Sequence, residues 1–305
     1  MEQPKTSPYI ALVVGVISVS FAAIFIKQAA APAAIVAFYR MGLATLILAP
    51  FIIPKRMNEF KSLSKGQIGF LILSGFLLAL HFLLWITSFA HTSVASSVIF
   101  VTTQPVFVAI AAAIFLNEKP GLLLLCGIAL SCVGSMVIGA GDLSLSMSNL
   151  YGDLMALGGS VMAAGYFLVG RHLRKSLSLG VYILSVYGIC AIFLAFYILF
   201  NGLPLVGYDS MTWFSMIMLA LVPTIVGHSS FNWALKYLHA SVVSASMLGE
   251  PVGATLLAWL ILKEKPQTFT FIGGALILCG IYLTSMKLEK LDNGVEEKSK
   301  IETQT

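Results

Sequence analysis

Glu250 is the residue with the most distinctive chemistry, because it lies in the middle of a long apolar segment, residues 240–262. A helix beginning near Ser241 carries Glu250 roughly 14 Å along its axis at 1.5 Å per residue. A carboxylate buried at that depth in a membrane costs several kcal/mol unless it is neutral, paired or in contact with water. We interpret Glu250 as a proton carrier or an anchor for a substrate amino group. The alternative is a neutral carboxyl group that bonds a neighbouring helix or stabilises the adjacent proline kink.

Two prolines predict breaks in the helices that contain them. Pro251 cannot donate a hydrogen bond to the carbonyl of Met247, which predicts a kink and a free backbone acceptor. Gln104 and Pro105 stand 146 residues before Glu250 and Pro251. Gln104 is polar but does not titrate, so only the second half of the chain could carry the proton. We expect Pro105 and Pro251 to act as kinks or gating points.

Two further groups of polar and aromatic residues have helical spacing. Thr224, His228 and Asn232 follow one another at i, i+4 and i+8 in an otherwise apolar segment, and such a stripe must face protein or a water-filled cavity. His228 suits proton relay or substrate binding. His81 and Trp85 are spaced i, i+4 at nearly the equivalent place in the first half, and Trp85 could stack on a solute. The alternatives are interhelical hydrogen bonding and simple packing.

Arg40 is the one basic residue predicted to lie well inside a membrane helix. It could attract a carboxylate of a solute or pair with another helix, and we favour this interior role over extension to the surface. Lys27 is expected at a helix end, where its side chain reaches the membrane surface. Glu118 and Glu264 each precede a lysine and are expected to cap helices or form loop salt bridges.

Composition places the chain in the membrane. Of 305 residues, 58% are hydrophobic and 10% are charged, against about 25% charged residues in soluble domains. The formal charge of +5 is too small to indicate nucleic-acid binding, and the four cysteines form no CxxC or Cys/His cluster. ATP-binding, metalloprotease and serine-hydrolase motifs are missing. The sequence therefore predicts no enzyme, no catalytic residue, no metal site and no cofactor.

Ten apolar segments are long enough to cross a bilayer, which takes about 20 residues each. They lie at 9–28, 33–54, 67–90, 93–116, 121–140, 149–170, 179–200, 211–235, 240–262 and 268–286. The predicted fold is an all-α integral membrane protein. Residues 287–305 are polar and are expected to form a disordered cytoplasmic tail.

An internal repeat organises these ten segments. The residues from Pro105 to Gly134 match those from Pro251 to Gly280 at an offset of 146, including glutamates 118 and 264. Because each repeat holds five helices, an odd number, the second repeat must be inverted. We therefore divide the chain into a first five-helix repeat, 1–145, and a second inverted repeat, 146–286. Two inverted repeats can exchange conformations and open a midplane site to either side.

Lysines and arginines predict the orientation of the chain, because cytoplasmic loops carry an excess of both. With the N-terminus inside, 14 of the 18 basic residues fall on the inner side. Only Lys27, Lys263 and Lys265 fall outside, and Arg40 lies within a helix. Both termini are therefore predicted to be cytoplasmic. Short loops and the lack of an organelle signal favour the plasma membrane of a bacterium.

The sequence resembles a known family at several of these positions. Phe38-Tyr39-Arg40, Pro105-Val106-Phe107 with Glu118, and Glu250-Pro251-Val252 with Glu264 resemble the drug/metabolite transporter superfamily, specifically its ten-helix EamA-type exporters. The resemblance covers residues 9–286, except that helix 7 lacks a counterpart of Arg40. It implies a proton-linked or facilitative exporter of amino acids or related small metabolites.

The expected function is therefore secondary transport by alternating access. The solute-binding or coupling residues predicted for it are Glu250, His228, His81, Trp85, Arg40, Gln104 and Asn232. The partners are the lipid bilayer, a small-molecule substrate and protons as a candidate coupling ion, in a monomer or homodimer. The alternative is a passive uniporter or channel-like facilitator on the same fold.

Overall fold

The computed structural model describes residues 7–115, 121–139, 147–262, 268–269 and 271–283. Within these residues the chain is helical and contains no strand. Glu118, Glu264, the two lysines beside Glu264 and the predicted tail lie outside the described residues. The roles predicted for them therefore stay predictions.

The described chain forms ten apolar helices, labelled here α1 to α10 in chain order. Eight are long and apolar enough to cross a membrane, and two, α5 and α10, are shorter. Their bounds are α1 Pro8–Gln28, α2 Ala33–Lys61, α3 Lys65–Ser88, α4 Val94–Phe115, α5 Leu122–Val137, α6 Met147–Arg174, α7 Leu179–Phe200, α8 Ser210–Ala234, α9 Ala240–Leu262 and α10 Phe271–Leu283. The predicted fold class is confirmed: this is an all-helical, multi-pass membrane protein.

Two helices run further than the hydropathy pattern predicts. The second segment was expected to end at residue 54, but α2 passes through Pro50 and Pro54 and ends at Lys61. Its last turns are polar, and the carboxylate of Glu59 accepts a hydrogen bond from the backbone N–H of Ser178 at 2.6 Å, which fixes this end. Similarly, α6 ends at Arg174 rather than near residue 170. Hydropathy detects the part of a helix in lipid and misses the polar turns beyond it.

Side chains outside the apolar segments cap several helix starts. Ser64 and Gln67 form a capping box at the start of α3, and Ser178 caps α7. At the start of α8, the Asp209 carboxylate accepts a hydrogen bond from the Thr212 N–H at 2.6 Å. This bond holds the pKa of Asp209 below its usual value, because it favours the ionised form. These caps satisfy backbone donors that a helix cannot satisfy internally.

Four of the described helices are interrupted: α1 at Phe21, and α4, α8 and α9 near their middle. α4 consists of helical pieces Val94–Val101 and Gln104–Phe115, separated by Thr102 and Thr103. α9 consists of Ala240–Ser246, a 3₁₀ turn Met247–Gly249 and a helix Glu250–Leu257 that continues as a π-helix to Leu262. α8 contains a π-helical stretch, Ala220–His228, around Pro223. Such irregular stretches often mark functional positions in membrane helices.

Helix α3 lies at the centre of the molecule. It packs most extensively along α6 and also contacts α7 and α2, while α1 packs along α8. The close approach of α3 and α6 depends on Gly159. A Cβ atom there would lie 3.3 Å from the His81 carbonyl oxygen and from the Trp85 side chain. The carbonyl of Gly159 also contacts the His81 ring, so this crossing positions one of the predicted site residues.

Helices α5 and α10 cross at glycines. A Cβ atom on Gly134 would lie 2.6 Å from the carbonyl oxygen of Gly273, and one on Gly280 would lie 2.5 Å from the carbonyl oxygen of Gly127. The hydroxyl of Ser131 donates to the carbonyl of Ile277 at 3.2 Å. Small residues therefore allow the two backbones to touch.

Candidate functional site

The central cavity lies where α1, α2, α3, α4, α8 and α9 meet. Its lining residues are Val19, Ala22, Arg40, His81, Trp85, Val101, Thr102, Gln104, Pro105, His228, Met247 and Glu250. The cavity volume is about 20 Å³. One water molecule needs roughly 10–15 Å³, whereas pockets that hold drug-sized ligands measure roughly 300–1,000 Å³. The cavity is therefore closed around a space smaller than a metabolite.

Arg40 projects into the molecule rather than to the membrane surface, and its side chain is completely buried. Its Nε donates a hydrogen bond to Thr224 Oγ1 at 2.8 Å, and the guanidinium carbon lies 4.2 Å from the ring centroid of Phe82. The terminal nitrogens Nη1 and Nη2 have no hydrogen-bond partner in the described chain. The guanidinium is thus fixed along one edge and one face, and its two terminal nitrogens remain without a partner in the described chain.

Glu250 supplies a carboxyl group in the same cavity. Its side chain is 4% exposed, and Oε1 has no hydrogen-bond partner among the described residues. The carboxylate and the guanidinium of Arg40 line one cavity but form no ion pair within 4 Å. A guanidinium and a carboxyl group that are buried with polar atoms left unpartnered are costly, which marks this cavity as the candidate site.

The backbone around Glu250 differs from the prediction in one respect. Pro251 was expected to leave the carbonyl of Met247 free for a solute. Instead the N–H of Glu250 donates to that carbonyl in the 3₁₀ turn, so the carbonyl already has a partner. The tighter i→i+3 bond replaces the i→i+4 bond that proline cannot make. The break places Glu250 at the first position of a new helical piece.

His81 and Trp85 form one wall of the cavity. Their rings stack with centroids 5.7 Å apart and planes 19° apart, as the i, i+4 spacing on α3 allows. His81 Nδ1 lies 2.9 Å from the carbonyl oxygen of Gly159, an acceptor, so the N–H at Nδ1 is the donor. The indole Nε1 of Trp85 has no partner in the described chain. Trp85 thus offers a ring face and a hydrogen-bond donor.

His228 and Gln104 complete the polar lining. His228 is 5% exposed, and its Nδ1 has no partner within the described residues. Its ring meets that of Phe82 edge-to-face at 5.6 Å. The amide Nε2 of Gln104 lies 3.7 Å from the sulfur of Met247, a weak contact between the broken helices α4 and α9. Pro105 also lines the cavity, beside the break in α4.

Asn232 and Pro251 do not line the cavity, although both were predicted to belong to the site. Asn232 is fully buried in a separate network, where its amide contacts the hydroxyls of Tyr166 at 2.6 Å and Tyr187 at 3.5 Å. The π-helical stretch of α8 explains the difference for Asn232. Its i→i+5 bonds change the angle between residues, so a stripe spaced i, i+4, i+8 does not stay on one face.

Several lining or supporting residues escaped the sequence analysis. Val19, Ala22, Val101 and Met247 are apolar, and nothing in the sequence distinguishes them from other core residues. Phe82 and the buried tyrosines were missed for the same reason. Thr224 was noted only as part of a polar stripe, and its contact with Arg40 depends on the packing of α2 against α8. Lys27 is exposed near the end of α1, as its position predicted.

Different contacts close the two ends of the bundle around α8. At its C-terminal end, Arg171 Nη1 donates to the carbonyl of Leu235 at 2.7 Å, and Arg174 Nε donates to the carbonyl of Asn232 at 2.9 Å. At its N-terminal end, Thr212 Oγ1 accepts from the N–H of Ala30 at 3.0 Å. An aromatic contact also closes this end.

That aromatic contact joins α2 to α8. The rings of Tyr39 and Trp213 meet edge-to-face with centroids 4.7 Å apart. Neither set of contacts includes a lining residue of the cavity. The contacts at each end are therefore separate from the walls of the cavity.

Comparison with known proteins finds transporters that are similar over most of this chain. The chain is 25% identical over 261 residues to the uncharacterized transporter YdfC of Bacillus subtilis, covering 83% of this chain and 81% of YdfC. It is 24% identical over 264 residues to the pseudopaline exporter CntI of Pseudomonas aeruginosa, covering 83% of this chain and 87% of CntI. A solved crystal structure superposes with a TM-score of 0.75 over 93% of this chain and 99% of its own, at 14% identity, which shows the fold alone.

A family model matches nearly the whole chain in two successive blocks. The model of the EamA-like transporter family covers residues 6–140 and again residues 150–286. The two blocks hold the two broken helices and all the residues that line the cavity. The chain, a multi-pass membrane protein with a closed, charged central cavity, belongs to the EamA-like transporter family.

Proposed function

We propose that the protein is a secondary transporter that exports small metabolites, most of all amino acids or related amphipathic compounds, by alternating access. The observation that carries this proposal is the closed cavity in which Arg40 and Glu250 are buried without pairing. A membrane interior retains such groups where they serve a solute or an ion. Membership of the EamA-like transporter family supports transport activity. The similarity to CntI, which is named as an exporter, supports transport out of the cell.

The lining chemistry supports an amphipathic zwitterion as cargo. A carboxylate of the solute would bind the free guanidinium nitrogens of Arg40, and an ammonium group would lie near Glu250. The remaining walls are apolar or aromatic, with Val19, Val101 and the Trp85 ring suited to a small side chain. The solute would then satisfy both buried charges at once.

The volume of the cavity and the helix breaks support alternating access. A cavity of about 20 Å³ must enlarge before it accepts an amino acid. The breaks at Thr102–Thr103 in α4 and Met247–Gly249 in α9 flank Gln104 and Glu250, so hinge motion there would move the site directly. We propose that Pro105 and Pro251 keep these hinges from closing into regular helix.

We also propose that solute export is coupled to proton movement. Glu250 is the one carboxyl group in the cavity lining, and Gln104 takes its place in the first half of the chain. We propose that Glu250 binds a proton in one state and releases it in the other. His81 and His228 line the same cavity and are candidate relays to it. A passive facilitator would use the same cavity without this exchange.

Two measurements in liposomes with the purified protein test the proposal. A panel of amino acids and other small metabolites is supplied, and proton flux and solute flux are followed separately. We expect a cargo solute to drive proton flux in the wild type. Glu250→Gln should abolish proton flux in a coupled transporter, because the amide cannot titrate, and should leave downhill solute flux largely intact in a passive facilitator. Glu59→Gln, a carboxyl change outside the cavity, should behave as wild type.

The other outcomes decide between the alternatives. Solute flux without proton flux in the wild type would make the protein a facilitator. Proton coupling that survives Glu250→Gln would contradict the role of Glu250. No flux of any solute would contradict the cargo class proposed here.

We also propose a setting for this activity. The protein would lie in the bacterial plasma membrane with both termini in the cytoplasm, as a monomer or homodimer. Its repeats would span residues 1–145 and 146–286 in inverted orientation, with residues 287–305 as a cytoplasmic tail. The distribution of basic residues and the matching breaks in α4 and α9 support these assignments.

A further inference from the structure

The orientation of the Arg40 guanidinium is set by two contacts on the side away from its free nitrogens. Nε donates to Thr224 Oγ1 at 2.8 Å, and Phe82 covers one face at 4.2 Å. Both partners are fully buried. A guanidinium held at Nε by one helix and stacked on a ring from another cannot turn freely. Its terminal nitrogens therefore keep a fixed direction.

Thr224 is itself oriented by the π-helical stretch of α8. Its hydroxyl lies 2.8 Å from the carbonyl oxygen of Leu219, five residues earlier, and donates its proton there. With the proton committed to Leu219, the hydroxyl oxygen can only accept from Arg40. Pro223 lies inside the same stretch and supplies no N–H, so the local backbone departs from regular α-helix.

A tyrosine on α7 supports this turn from the other side. The hydroxyl of Tyr187 lies 3.3 Å from the hydroxyl of Ser229 and 3.5 Å from the carbonyl of Thr224. All three residues are buried. The acceptor for Arg40 therefore belongs to a packed network and is not a flexible surface group.

We propose that Thr224 is a positioning residue that aims Arg40 so that Nη1 and Nη2 bind one carboxylate of the transported solute through two parallel hydrogen bonds. This inference rests on the proposed function and narrows its substrate class: the solute must carry a free carboxylate. Carboxamide derivatives of the same solute are excluded, because an amide presents an NH₂ group to one of the two donors.

Thermal stabilisation of the purified full-length protein measures this selectivity without requiring transport. The probes are L-phenylalanine, L-leucine and L-threonine, each compared with its carboxamide. We expect at least one amino acid to raise the melting temperature of the wild type with saturation, and its amide to have no effect. Thr224→Val should weaken the apparent affinity for that amino acid roughly 10-fold or more, because a charge-assisted hydrogen bond is lost.

Two further variants separate positioning from general damage. Thr224→Ser keeps the hydroxyl and should retain the affinity of the wild type. Thr45→Val removes a hydroxyl that bonds only the Met41 carbonyl of its own helix, at 2.8 Å, and should also bind normally. If Thr224→Val does not fold, Thr224→Ala carries the same prediction, because it adds no atoms to the turn.

The outcomes distinguish this inference from the proposed function. The proposed role of Thr224 would be overturned if carboxamides stabilised the protein as strongly as amino acids do, or if neither stabilised it. It would also be overturned if the variants that lack the Thr224 hydroxyl bound the amino acid with the affinity of the wild type. A selective loss of carboxylate binding in those variants would support it. If carboxylates bind selectively but no solute moves in liposomes, the inference stands and the proposed transport fails.

Discussion

Arg40 and Glu250 are the two residues on which the chemistry of the cavity depends. Each is buried in a low-dielectric interior, where an uncompensated charge is costly. Neither forms an ion pair in the described chain, and both line a cavity smaller than a metabolite. We interpret this arrangement as a site held ready for a ligand of mixed charge. The ligand would supply the hydrogen-bond partners that the side chains of Arg40 and Glu250 lack in the described chain.

Replacing Arg40 by lysine tests whether the guanidinium matters beyond its charge. Arg40→Lys keeps the positive charge but loses the Nε bond to Thr224, the stacking plane on Phe82 and the paired donors. We expect solute uptake into liposomes to fall at least about 10-fold. Arg56→Lys, at an exposed arginine 3.7 Å from Glu59, should change nothing. Wild-type uptake by Arg40→Lys would show that a point charge is sufficient.

Sequence alone predicted much of this site, because a polar residue inside an apolar helix must face protein or water. Glu250, His228, His81, Trp85, Arg40 and Gln104 all line one cavity. The same reasoning could not say which neighbouring helix each would meet. Asn232 therefore fell outside the cavity, and the contact of Arg40 with Thr224 and Phe82 was not foreseen.

At the scale of elements, the irregular helices shape the site. The 3₁₀ turn Met247–Gly249 and the π-helical stretch Ala220–His228 place Glu250 and Thr224 on the sides that face the cavity and Arg40. Pro105 and Pro251 predicted breaks in α4 and α9, and both helices are broken near these positions. The kind of break was not predictable, because it depends on which carbonyls find new donors after folding.

The glycine crossing of α5 and α10 gives a prediction about stability. Gly280→Ala places a methyl group against the carbonyl of Gly127 and the hydroxyl of Ser131. We expect a destabilisation of about 1–3 kcal/mol, as for overpacked cores, seen as a lower melting temperature. Gly42→Ala in α2 is the matched control, because nothing lies within 4 Å of its added methyl group.

That control should be neutral or stabilising by up to about 1 kcal/mol, since alanine favours a helix more than glycine does. Equal melting temperatures for the two variants would show that α5 and α10 do not touch as described. A lower melting temperature for Gly42→Ala alone would contradict the packing of α2.

The described part of the chain is a bundle of ten apolar helices whose outer surface suits lipid. Large apolar side chains are exposed all around it, including Phe200 at 92% and Phe115 at 75%. A protein surrounded by water rarely exposes so much apolar surface. Length and hydropathy predicted the number and type of helices well, because the thickness of the bilayer fixes both. The ends of α2 and α6 were missed because their last turns contain charged residues that lower the hydropathy.

Orientation in the membrane is a prediction at this scale. Fourteen of 18 basic residues fall on the side assigned to the cytoplasm. A cysteine added after Thr305 should therefore resist a membrane-impermeant thiol reagent in intact cells and react after the cells are opened. For this measurement the four native cysteines are replaced first. Labelling from outside intact cells would contradict the predicted orientation and place the C-terminus outside the cell.

Alternating access requires one cavity to open in turn to the two sides of the membrane. A cysteine at position 22, which lines this cavity, can report that opening. Ala22 lines the cavity and is buried, so Ala22→Cys changes little in size. Ala44→Cys is the control, because Ala44 is buried in α2 without lining the cavity. Both are made without the native cysteines and exposed to an impermeant thiol reagent from either side.

We predict that Ala22→Cys reacts from both sides in turn, that a transported solute slows the reaction, and that Ala44→Cys does not react. Reaction from one side only, or from neither, would contradict alternating access through this cavity.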